Sequence, residues 1–97
     1  MYSPIFHKAL IFLDEDKYEE GENCLKEAIS QSENEKELII MKTCYADFLC
    51  DFERYDEALE NARYVVDNSE IALQYDLTEE IETAEELITA IENREVF

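Results

Sequence analysis

One glycine (Gly21) and one proline (Pro4) serve the whole 97-residue chain. Tight β-turns need residues that accept positive φ, and glycine is the usual supplier. A β-sandwich, a β-barrel or a Rossmann unit needs many such turns, and a phosphate-cradling loop needs several glycines. Collagen-like, Pro-rich and Gly/Ser-linker chains are excluded on the same ground. What remains is a helical chain of single-domain length. Phe and Tyr number 11 together, and apolar residues make up 46% of the chain, which is ordinary for a folded domain. The core must be small, because a chain this short buries only about 60–65% of the surface it exposes when unfolded.

Charge is the second constraint. Against 26 Asp and Glu stand 8 Lys and Arg, giving −18 at pH 7. A phosphate backbone or an anionic membrane surface requires basic groups, so direct nucleic-acid binding and membrane binding are both disfavoured. The acids are clustered. Residues 14–37 hold ten acids and three bases, residues 67–97 hold ten acids and one base, and residues 1–13 hold no acid. The cysteines, Cys24, Cys44 and Cys50, are odd in number and have no C-x-x-C spacing. They read as three half-buried reduced thiols, which points to the cytoplasm. The N-terminus shows no basic region followed by a long apolar run, so no signal peptide is expected.

The apolar pattern predicts an all-α fold of about five helices. Ser3 and Pro4 open the first, as N-cap and first-turn proline. Ile5, Phe6, Ala9, Leu10, Phe12 and Leu13 follow at helical spacing. Residues 14–17 read as a short turn, and a second helix runs from about Tyr18 to Ser30. Ser32 and Glu35 have the spacing of a capping box for a third helix, which reaches Phe52. Glu53-Arg54 is another short turn. The fourth helix carries Ala58, Leu59, Ala62, Val65 and Val66, and the stripe 58, 62, 65, 69, 72 favours its continuation through Ala72 and Leu73. Asp76 or Thr78 caps a last helix carrying Ile81, Ala84, Leu87, Ile88 and Ile91.

Two segments align at an offset of 37 residues. Ala9, Tyr18, Gly21 and Ala28-Ile29 correspond to Ala46, Tyr55, Ala58 and Val65-Val66. The small residues allow close helix approach, and the tyrosine packs its ring at the turn while its hydroxyl stays wet. This pattern of small-x8-Tyr-x2-small resembles the tetratricopeptide repeat family. The resemblance implies two antiparallel helical hairpins, about residues 3–32 and 33–69, followed by a capping helix at about 77–94. The spacing of 37 exceeds the family's 34. Asp16 and Glu53 stand at the turn glycine, and Glu33 and Glu70 stand at the closing proline. Two repeats and a cap are fewer than the roughly three that a solenoid normally needs, which favours dimerisation or a stabilising partner.

Catalysis finds little support. His7, the single histidine, reads as a partly buried structural side chain, and nothing in the sequence orients it toward a thiol. Asp14, Asp16 and Glu20 look faintly calcium-like, but the EF-hand positions for Gly and Glu hold Glu19 and Leu25. No Glu-x-x-His motif is present. No metal or other cofactor is expected.

In the family resembled, ligands lie against the first helix of each hairpin. Carried over, that implies partner-binding positions at Phe6, Leu10 and Leu13, with Asp14 beside them, and at Thr43, Asp47, Cys50 and Asp51. The acids at 47 and 51 disfavour the family's clamp for C-terminal carboxylates. The expected function is non-enzymatic sequestration of a basic protein through an acidic surface. Its most concrete form is an inhibitor or immunity protein against a cationic, nuclease-like toxin. The alternative is a scaffold or secretion chaperone that holds a client segment in its groove. Tyr2, Phe6 and Leu10 on the acid-free first helix are the expected surface for a homodimer. Self-repulsion at −18 should oppose folding and be screened by salt. Thermal melts at about 10 mM and about 500 mM NaCl should therefore show a Tm several degrees higher at the higher salt; a flat or falling Tm contradicts this.

Overall fold

A computed structural model of the chain describes residues 3–95. The described residues form six helices and no strand. These are α1 (Pro4–Asp14), α2 (Tyr18–Gln31), α3 (Glu35–Asp51), α4 (Tyr55–Asp67), α5 (Ser69–Gln74) and α6 (Thr78–Glu95). α1 packs against α2, α3 against α4, and α6 against both α3 and α4. The molecule is a slab of 39 × 32 × 19 Å, two helix diameters thick.

Local chemistry sets the boundaries. The Ser3 hydroxyl accepts from the Phe6 amide, and Pro4 occupies the first turn, as expected. The end of α1 is a Schellman turn, with the Lys17 amide donating to the Phe12 carbonyl and the Asp16 amide to the Leu13 carbonyl. The end of α3 repeats it 37 residues later, from Arg54 to Leu49 and from Glu53 to Cys50. A third copy ends α5, from Leu77 to Ala72 and from Asp76 to Leu73. Each places an acid in the left-handed region, with φ of 62° at Asp16, 61° at Glu53 and 60° at Asp76. Sequence spacing alone did not reveal the third copy.

Three readings need correction. The number of helices is six, because the fourth does not continue. The Asn68 side-chain amide donates to the Tyr64 carbonyl at 2.8 Å, and the Asn68 backbone turns to φ −107°, ψ 26°. The Asn68 backbone amide donates to the same carbonyl, and α5 begins at the next residue. The cap of α3 is Asn34, whose side chain accepts from the Glu37 amide at 3.0 Å. Ser32 instead closes α2, and its hydroxyl donates to the Asn34 carbonyl. His7 is exposed and not part of the core.

Two apolar clusters hold the slab. One gathers Phe6, Ala9, Leu25, Met41, Tyr45, Leu49, Leu59 and Ile91 from α1, α2, α3, α4 and α6. The other gathers Ile39, Ala46, Ala62, Val65, Ala72, Leu77 and Ala84 beneath α5 and α6. Gly21 is buried where α2 crosses α1, and a Cβ there would come within 2.6 Å of Leu13 Cδ2. A larger residue here would have to displace the Leu13 side chain.

A left-handed L-residue costs roughly 1–2 kcal/mol, and glycine removes that while adding about 0.5–1 kcal/mol of unfolded-state entropy. Glu53→Gly should therefore stabilise the chain by about 0.5–1 kcal/mol. A lower urea midpoint for this variant would show that the turn is not strained.

Candidate functional site

α3 carries the dipeptide Asp-Phe twice, at 47–48 and 51–52. A spacing of four residues places both copies on one helix face. Phe48 and Phe52 stand 4.8 Å apart between ring centroids. Tyr18, the first residue of α2, meets Phe52 edge-on at 5.0 Å and Phe48 at 6.4 Å. Tyr45 stacks on Phe48 from the core side at 6.2 Å. Tyr18 and Phe52 remain 43% and 45% exposed. Together with Leu13, Cys44, Asp47 and Asp51, these rings line an open cleft of about 420 Å³.

The electrostatics of the cleft are one-sided. Burial, and then the neighbouring Asp51, raise the Asp47 carboxyl above its ordinary value. The Tyr18 hydroxyl donates to Asp16 at 2.8 Å, and that bond raises its pKa. Among the described residues no Lys or Arg forms an ion pair with Asp47 or Asp51. Burial pushes the Cys44 thiol up to about 11, with Asp47 adding to it. A thiol of that pKa is protonated at neutral pH and is a poor nucleophile. Burial raises Cys50 as well. No group of acids, cysteines or histidine among the described residues is arranged to hold a metal ion. The arrangement suits non-covalent recognition, with flat rings for stacking and carboxylates for pairing.

A polar brace stands behind the cleft. Glu22 on α2 accepts from the Tyr45 hydroxyl on α3 and from Arg54 Nη1 at 2.8 Å, and Arg54 also clasps Glu57 through two nitrogens. The guanidinium holds the Glu22 carboxyl below its ordinary pKa, with the Tyr45 bond assisting against burial. This brace ties the first pair of helices to the second and fixes the Tyr45 ring on which Phe48 rests.

The positions expected from sequence separate into groups. Leu13, Asp47 and Asp51 come together in the cleft. Phe6 is 2% exposed and belongs to the core, so it presents no surface to a partner or to a second copy. Thr43 is 8% exposed, with its hydroxyl bonded to the Ile39 carbonyl, and is likewise unavailable. Leu10 and Cys50 are half-buried against the core, and Asp14 is exposed at the end of α1. Tyr2, the other residue of the expected dimer surface, lies outside the described residues. Tyr18, Phe48 and Phe52 were not expected as site residues. The doubled Asp-Phe dipeptide is a signal for Phe48 and Phe52, and none in the sequence points to Tyr18.

Comparison of the chain with family models, curated proteins and solved structures gives no match in any of the three. No helix among the described residues is long and apolar enough to cross a membrane.

Glu22 ionises at lower pH in the folded chain than in the unfolded one. Its stabilisation is therefore complete above the ordinary value of 4.5 and is lost as pH falls through the folded value. Glu22→Gln should lower stability by about 1–2 kcal/mol at neutral pH, with a smaller difference near pH ~3. Urea unfolding at the two pH values checks this, and a pH-independent difference would contradict it.

Proposed function

We propose that this chain is a non-enzymatic binding module that sequesters a basic protein through its acidic surface. Its most concrete form is an inhibitor or immunity protein neutralising a cationic, nuclease-like toxin. The observation that carries this reading is the uncompensated charge. Only Glu15, Glu22, Glu57 and Glu92 close ion pairs among the described residues, in a chain of net charge −18. Unpaired carboxylates on a small rigid scaffold steer a cationic partner into encounter and reject acidic ones. Carboxylates spaced along helices can also cover a cleft built for phosphates.

A second reading has its own support. The turns after α1 and α3 share hydrogen bonds and left-handed geometry at the same 37-residue offset as the sequence repeat. That supports a tetratricopeptide-like pair of antiparallel hairpins capped by α6, in which α1 and α3 line a groove for a client segment. In that form the module is a scaffold or secretion chaperone. Either form operates in the cytoplasm, where its three free thiols stay reduced.

Affinity capture from source-cell lysate, washed at low and then high salt, tests the reading. One dominant basic protein that survives the high-salt wash is the expected result for an inhibitor. Several clients released by salt would favour the chaperone form, and retention of no basic protein would overturn the proposal.

A further inference from the structure

The Tyr18–Phe48–Phe52 cluster sets rings beside carboxylates in one open cleft. Three other rings, all half-buried, carry the molecule's own cations. Lys8 and Lys17 lie over Phe12, Lys42 lies 4.1 Å from the Tyr64 centroid, and Arg94 lies 5.1 Å from the Tyr55 centroid. Among the described residues no Lys or Arg covers Tyr18, Phe48 or Phe52. Asp47 and Asp51, like charges one helical turn apart, flank these rings without an ion-pair partner. Rings and carboxylates thus converge on an open cleft that has no internal cation to fill it.

We propose that this cleft takes the guanidinium of an arginine in a basic partner segment, stacked on Phe52 and Tyr18 and paired with Asp47 and Asp51. The inference rests on the basic-partner reading above and names where, and by which side chain, that partner is read. Charge complementarity selects a cation, and the rings select among cations. Guanidinium is planar, weakly hydrated and able to stack while its edge pairs with a carboxylate; ammonium is a compact, strongly hydrated charge. A lysine gains the carboxylates and little from the rings.

The test uses the full chain and two acetylated, amidated Gly/Ser peptides, one bearing three arginines and the other three lysines, titrated calorimetrically at physiological salt. The arginine peptide is expected to bind at least about fivefold tighter. Phe52→Ser, at an exposed position, should reduce that preference to less than about twofold. Asp47→Asn with Asp51→Asn should weaken the arginine peptide by about fivefold or more, while Glu85→Gln with Glu86→Gln on α6 should change it less than about twofold. Circular dichroism confirms that each variant keeps its helices. Equal affinity for the two peptides, or a preference that survives Phe52→Ser, would overturn the arginine site while leaving the acidic-module reading in place. If neither peptide binds, the site is also overturned; the lysate capture then decides the broader reading independently.

Discussion

Six alanines with no exposed surface, Ala9, Ala46, Ala58, Ala62, Ala72 and Ala84, set the distances between the helices. A chain of this length has few large side chains to spend on a core. It gains density by bringing backbones close at small residues and filling the gaps between with Leu25, Met41, Leu49 and Ile91. Gly21 takes the same role where α2 meets Leu13. Two rings, Phe6 and Tyr45, lie within the core, and those of Tyr18, Phe48 and Phe52 collect at its edge beside Leu13.

Much of the architecture was legible because it rests on local signals. Ser3 and Pro4 announced α1, and the turns at Asp16 and Glu53 were visible as breaks in the apolar pattern. The alignment of Ala9 with Ala46 and of Gly21 with Ala58 picked out residues that are all buried. The misreadings came where two local signals competed. The stripe at 58, 62, 65, 69 and 72 stays in helical register, yet between its members the Asn68 backbone leaves helical geometry, its side chain bonded to the Tyr64 carbonyl. Ser32 and Glu35 have the spacing of a capping box, yet the side chain that accepts from the first turn of α3 is that of Asn34.

The site was harder to read than the fold. α3 is apolar around most of its circumference, so periodicity could not say which of Ile39, Met41, Tyr45, Phe48 and Phe52 face inward. Phe52, at the end of the helix, is nearly half exposed, and Phe6, expected on the partner-binding surface, is buried. The acids at 47 and 51 were identified from a resemblance, but their relation to the rings emerges only from the packing of Tyr18 against α3. Long-range neighbours of this kind leave no trace in the spacing of either partner.

The three left-handed turns carry a stereochemical consequence. The backbone at Asp16 and Asp76 is the mirror image of the ordinary right-handed helical conformation. A residue of D configuration would sit there without the steric conflict an L-residue meets between Cβ and the next carbonyl oxygen. Aspartate is also a side chain prone to slow racemisation through a cyclic imide. At these two positions an inverted centre alone would fit the turn, whereas opening of the imide at its other carbonyl gives isoaspartate, whose extra backbone carbon would break it.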